Sequence, residues 1–496
     1  MIYRNIIANY AGRTWLMASI YIFVPIYISI LGAESYALIA FYTILLTFAS
    51  LADVGLSSTF SRQAASEKDR DALFDTFSTM EIILLCTTIS ISILIIIFAP
   101  MIADRWLNQI DVIDTSTVET CLRLMAATII PQIMMTFYSA GLIGLQKQIS
   151  SNVAQSIYIL IRSAFIIPVL MIHRDPVVFF VWQLGVTIAF SIIFRILLFR
   201  TIERPIFSLG RYKFSSMRPV LAFAGSMILI SLISTINTQI DKLVVSGLFS
   251  VSDFGFYAAA STLAQLPVAL TMPIAIAFYP RLTELLARHE LLPARELYAY
   301  FSGLTAMTVS LLAGGLFMLS PEILTIWMHG QSLPPGLPTV VSLLALGSLF
   351  YGLQIVPYYL SLARGEARII LVLAIVAMLL TAPLSYISVV RFGMVGAPLP
   401  WILLNLINFI AIGFVVNRRA WSTRRMQWVI QCISLPTALG LATVFAGQWL
   451  AGLLTVNPYI TVALTGVVCL IVMGVFVRAI LPALAGRGLA SSPSLP

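Results

Sequence analysis

The chain has 496 residues, 60% of them hydrophobic and 10% charged, with a formal net charge of +9 and a mean hydropathy of +0.99. Soluble chains carry about 25% charged residues, so this composition excludes a soluble enzyme, a disordered chain and a disulfide-rich secreted module. The positive excess must first be divided between the two sides of a membrane before it is read as a surface for nucleic acid or another polyanion.

A membrane-crossing helix needs about 20 largely apolar residues. In chain order such runs fall at 11–31, 36–58, 78–99, 120–144, 151–172, 176–199, 220–246, 254–278, 298–319, 338–362, 369–390, 397–416, 429–451 and 458–478, which predicts fourteen spans. The first run continues after a short turn into the second with no small-residue cleavage site, so it reads as a span and not as a leader peptide. The runs are too long for barrel strands and lack their period-two alternation.

Charge supports the count. With the N-terminus inside, 21 of the 29 basic residues lie on the inner side, and only Arg105, Arg174 and Arg391 lie outside. That asymmetry predicts an N-in, C-in topology. Acidic residues divide as 9 inside, 8 outside and 3 in spans, so the layers carry +12, −5 and +2. Trp106, Trp327 and Trp449 near the outer interface, with Trp421 and Trp428 near the inner one, fit anchoring belts. The predicted fold is an all-α polytopic membrane protein.

The connections are short. The longest, at 100–119, 200–219 and 279–297, hold about 20 residues each and are too small for a catalytic or nucleotide-binding domain. No GxxxxGKS/T phosphate loop is present, which argues against ATP-driven transport by this chain, and no cofactor is expected. His173, His289 and His329 sit in different loops without ligand spacing, so no metal is expected. Cys86, Cys121, Cys432 and Cys469 are scattered and read as free packing thiols.

Charges inside the membrane are costly and usually face a cavity or a partner. Arg162 falls near the middle of the fifth span; Arg13 and Arg195 lie near inner ends and Arg123 near an outer end. Asp53, Glu81, Asp241 and Lys242 occupy intermediate or end positions. Snorkelling or interhelix ion pairing would explain any of them. A net basic layer favours an anionic cargo, because arginine forks onto phosphate oxygens in a bidentate manner. Asp53, Glu81 and Asp241 are the candidates for carrying a coupling ion.

The sequence also carries an internal echo. Glu34 precedes Arg62 by 28 residues, and Asp253 precedes Arg281 by 28. Each stretch is a turn with an acid, one span, then an arginine at the inner end, as a same-orientation duplication of a six-span unit would produce. Helix caps and inner-side charges also generate such spacing.

These stretches resemble a known family. LGAESYALIAFY followed by LADVGLSSTFSRQAA, then GLIGLQKQISSN, then TQIDKLVVSGLFSVSDFGFYAAASTLAQLP with AFYPRLTEL, is similar to bacterial O-antigen and exopolysaccharide flippases. These belong to the multidrug/oligosaccharidyl-lipid/polysaccharide exporter superfamily. The likeness covers most of residues 1–290; beyond 300 only span count and charge pattern support it. The usual Tyr-Gly of the second span reads Tyr36-Ala37 here, which puts close backbone packing at that point in question.

The resemblance implies a six-helix bundle at 1–200, a second at 201–416, a central cavity between them, and two further helices with an inner tail at 417–496. It implies an undecaprenyl-pyrophosphate-linked oligosaccharide as cargo, carried to the outer leaflet of the bacterial inner membrane by alternating access. A polysaccharide polymerase and glycosyltransferases would be its partners. Arg62, Gln146, Asp241, Lys242 and Arg281 fall within family motifs. Arg162 and Arg13 first, then Arg123 and Lys242, with Arg62 and Arg281 after them, are expected to hold the pyrophosphate or acidic sugars. The alternatives are a multidrug exporter, a peptidoglycan-precursor flippase and a membrane glycan polymerase.

Overall fold

The computed structural model describes residues 18–53, 55–67, 69–105, 113–205, 214–421, 428–454 and 457–482, with side chains described except at 105, 214–230, 367–371 and 414–421. Every regular element among these residues is a helix. Eleven are long and apolar enough to cross a membrane. The three other expected spans correspond to the shorter apolar helices Ala18–Leu31 and Pro398–Gly413, and to the helix Phe214–Leu248.

By contacts the chain forms two compact units, one comprising residues up to Gln239 with Ser246–Gly255, the other Ile240–Val245 with Phe256 onward. The first contains α1 (Ala18–Leu31), α2 (Ala33–Ala49), α3 (Leu56–Ser66), α4 (Arg70–Arg105), α5 (Thr115–Gly144), α6 (Gln148–Ser163), α7 (Ile166–Ile172) and α8 (Pro176–Ile202). It also contains most of α9 (Phe214–Leu248) and the start of α10 (Val251–Ala264).

In this unit α5 packs on α3, α4 and α8. The rings of Phe60, Phe77, Phe137 and Phe199 fill that junction, with Phe60 and Phe137 centroids 5.0 Å apart and Phe77 and Phe199 5.4 Å apart. Arg70 pairs with Glu203 at 2.5 Å and Arg204 pairs with Asp71, clipping the start of α4 to the end of α8. The Arg70 guanidinium holds the Glu203 carboxyl below its ordinary range, so this clip persists until the pH falls below that of a free glutamate.

The second unit is built on α14 (Leu337–Ala363), which packs on α11 (Leu266–Ala287), α12 (Leu291–Met318) and α16 (Pro398–Trp421). Phe278, Leu282, Tyr298, Ile355, Val356 and Leu360 form its core. It also holds α13 (Ser320–Trp327), α15 (Ala367–Phe392), α17 (Leu435–Leu454) and α18 (Pro458–Val475), with α17 packed on α12 and α18.

Three expected spans are broken, each for a local reason. The run at 36–58 stops at Ser50–Asp53 because the Asp53 carboxylate accepts from the Ser57 amide (3.0 Å) and hydroxyl (2.8 Å), and Gly55 turns left-handed at φ +80°. The run at 254–278 breaks at Gln265, just before Pro267, which takes a place in the first turn of the new helix, where its missing amide costs nothing. The run at 151–172 breaks after Ser163, where Pro168 has no amide to offer the Ala164 carbonyl and its ring crowds that group.

The motifs that carried the family likeness do structural work here. Glycine at 144 lets α5 meet α3, for a Cβ there would strike the Ser61 carbonyl oxygen, a backbone atom that cannot rotate away. Gly144→Ala is therefore expected to cost roughly 1–3 kcal/mol, read as a lower melting temperature of the purified protein. Gln146 takes the left-handed conformation (φ +62°) that ends α5, and Lys147 donates back to the Leu142 carbonyl at 2.8 Å. Ala37 is fully buried where a glycine was expected; Gly255 supplies the close approach instead, since a Cβ on it would strike the Ala33 carbonyl.

Candidate functional site

The broken helix at α6–α7 leaves backbone carbonyls unpaired in the middle of a span, and the structure satisfies them with side chains. The Trp182 indole donates to the Ile161 carbonyl (3.2 Å), the Gln183 amide to Arg162 (3.2 Å) and the Tyr27 hydroxyl to Ser163 (2.8 Å). Irregular backbone at membrane depth is tolerated only where it is so paired, and discontinuous helices of this kind form substrate and ion sites in transporters.

Arg162 sits at this break. Its Nε donates to the Gln183 side-chain oxygen, and its guanidinium lies over the Tyr158 ring, 5.7 Å from the centroid. Tyr158, 1% exposed, is itself fixed by Gln132 (2.7 Å) and Thr187 (3.2 Å). Tyr27 and Tyr42 complete the electrostatic surroundings of the arginine. All of these groups are neutral, and among the described residues no carboxylate lies within 4.0 Å of Arg162. A permanent positive charge is thus held in place by dipoles and rings, with no counter-ion among the described residues.

A second polar cluster lies 12 residues further along α8, about 18 Å at 1.5 Å per residue. Glu81, 5% exposed, accepts from the Tyr138 hydroxyl at 2.6 Å and pairs with Arg195 at 3.4 Å. Arg195 packs over Phe199 at 4.8 Å, and its Nε is buried without a partner. Here the charges compensate each other.

The other expected site residues are distributed away from Arg162. Arg123 is exposed and pairs with Glu119 one turn earlier on α5, nine residues (about 13 Å) from Gln132. Arg62 is exposed on α3; Arg281 is exposed on α11 and pairs with Glu284 at 2.7 Å. Asp241 accepts from the Tyr257 hydroxyl at 2.7 Å, with Lys242 half-buried beside it. Gln146 is exposed at its turn. Arg13 lies outside the described residues.

Asp53 caps α3, which makes a clean test of its other expected role. Asn caps as well as Asp, so Asp53→Asn should leave both the melting temperature and transport near wild type; lost transport with a retained melting temperature would assign the carboxylate to ion coupling.

Sequence reasoning missed Gln183, Tyr158, Gln132 and Tyr42. A polar residue within an apolar run is the signal that was available: Gln183 in FFVWQLGV and Gln132 in TIIPQIMM.

Comparison with known proteins agrees with this architecture. The family described as "Polysaccharide biosynthesis protein" matches residues 2–286. A Shigella flexneri protein named "Putative O-antigen transporter" is 21% identical over 408 residues, covering 78% of this chain and 91% of that protein. Among solved structures, the lipid II flippase MurJ in an inward closed conformation superposes with a TM-score of 0.70 at 15% identity, covering 97% of this chain and all of that one. An inward-facing multidrug resistance MATE family transporter of the MOP superfamily gives 0.59 at 14% identity, covering 83% and 95%. At those identities the structures establish the fold, while the family match spans more than half of the chain. The protein belongs to the polysaccharide biosynthesis protein family and is a multi-pass, all-α membrane protein with the fold of these transporters.

Proposed function

We propose that this protein is a flippase that moves undecaprenyl-pyrophosphate-linked oligosaccharide units from the inner to the outer leaflet of the bacterial inner membrane by alternating access. The observation that carries this reading is the uncompensated charge of Arg162 within a broken membrane helix. Such a charge is costly unless something neutralises it at least transiently, and a pyrophosphate or acidic sugar would do so. The arginine is pre-oriented through Nε, which is the geometry that presents the opposite edge of the guanidinium to a phosphoryl group. Family membership and the O-antigen-transporter relative support a polysaccharide cargo. An inside-negative potential would assist the outward movement of an anion, at about 2.3 kcal/mol per charge per 100 mV.

The arrangement fits a cationic-drug exporter less well. Such a site calls for a carboxylate available to a cation, whereas Glu81, Asp241 and Asp53 are each already held by hydroxyl, amide or guanidinium donors. The test is functional replacement: a strain lacking this gene should lose its surface or secreted polysaccharide and accumulate lipid-linked units, and the wild-type gene should restore export. Drug sensitivity with intact polysaccharide would overturn the reading.

A further inference from the structure

Tyr42 on α2 is 1% exposed, and its hydroxyl has no hydrogen-bond partner. Its ring packs edge-on against Phe180 on α8, centroids 6.0 Å apart. Phe180 stands one turn of α8 before Gln183, whose side chain holds Arg162, so Tyr42 packs on the same stretch of α8 as the arginine. Its two companions differ from it: Tyr27 donates to the Ser163 carbonyl at 2.8 Å, and Tyr158 bonds Gln132 at 2.7 Å. A buried hydroxyl left unmatched is destabilising, and folded proteins keep few of them without a use. Arg162 needs an anion, and Tyr42, packed against α8 one turn from the residue that holds Arg162, has a proton to donate.

We infer that Tyr42 is a substrate-binding residue whose hydroxyl donates a hydrogen bond to the phosphoryl group that Arg162 binds. This rests on the flippase reading above and extends it: the anion site has a second, neutral donor from another helix. A phosphoryl group offers several acceptor oxygens, so one can take the guanidinium fork while another takes the phenol. The phenol adds no charge to the membrane interior, and it favours an oxyanion in that position over a neutral cargo.

The test compares Tyr42→Phe, Tyr27→Phe and Arg162→Ala in the full-length protein in phosphatidylcholine nanodiscs, titrated with a polyprenyl pyrophosphate or, in a separate arm, with phosphatidylglycerol. Tyr42→Phe should bind the polyprenyl pyrophosphate about tenfold or more weakly, the cost of one hydrogen bond to a charged group. In the unliganded state it should melt no lower than wild type, because an unmatched hydroxyl has been removed. Tyr27→Phe should melt lower, since its hydroxyl is matched. The inference is overturned if Tyr42→Phe keeps full affinity, if it melts as low as Tyr27→Phe, or if phosphatidylglycerol binds equally well and is weakened equally. Loss of binding in Arg162→Ala with none in Tyr42→Phe rejects the role of Tyr42 alone, whereas unchanged binding in Arg162→Ala rejects the anion site itself.

Discussion

Arg162→Ala is expected to reduce export of lipid-linked glycan about 30-fold or more while the protein still folds and inserts. The magnitude follows from deleting a charged group that holds an anion in a low-dielectric site, typically 2–5 kcal/mol. The accompanying stability effect separates this role from a structural one. Gln183 loses a hydrogen-bonding partner, worth about 1 kcal/mol, but the membrane interior also loses a charge that no carboxylate among the described residues offsets. Arg162→Met, which restores volume without charge, should therefore melt at or above the wild-type temperature and remain inactive. Arg162→Lys should retain part of the activity, since it keeps the charge but not the planar fork. Polysaccharide export in a deletion strain, normalised to protein level in the membrane, reads all three.

The second large effect lies in the other cluster and is one of stability. Arg195→Met removes the ion-pair partner of Glu81, a carboxylate 5% exposed whose remaining described partner is the Tyr138 hydroxyl. Breaking a buried pair from one side costs about 3–5 kcal/mol. Glu81→Gln should cost less, because the amide oxygen still accepts from Tyr138, and the Arg195 side chain, 27% exposed, retains access to its surroundings. The double variant Glu81→Gln/Arg195→Met should recover much of the loss, since replacing both members of a buried pair is often close to neutral. Thermal unfolding of the four proteins gives the coupling directly. Transport that survives in a stable double variant would remove Glu81 from the candidates for ion coupling.

Much of the architecture was legible in the sequence because the bilayer imposes length and charge on every span. Apolar runs near 20 residues located the helices. Hydropathy could not locate the breaks. The runs are interrupted at 50–55, 163–166 and 265 by an aspartate cap, a proline and a helix restart, and each stretch stays apolar enough to read as a span. The break at Arg162 matters most, and its cause, Pro168, stands in plain sight six residues later.

The candidate site was legible in part for a related reason. An arginine in mid-span is conspicuous, whereas the residues that hold it are uncharged. Gln183 and Tyr158 reach Arg162 from positions 21 residues ahead and four behind, and the pairing is visible only once α6 and α8 are packed. Sequence position also gave every intramembrane charge similar standing. Packing separates them: Glu81 and Arg195 compensate each other, Arg123 leans on Glu119 in an exposed pair, and Arg162 is left with neutral neighbours.

Leaflet exchange in a reconstituted system tests the central claim most directly. Proteoliposomes containing the purified protein and an undecaprenyl-pyrophosphate-linked oligosaccharide, labelled in one leaflet, should move the label to the other without altering its length, and Arg162→Ala should reduce the rate to that of protein-free vesicles. Label that stays in its leaflet with wild-type protein, is lengthened into polymer, or moves equally fast with Arg162→Ala would contradict the account.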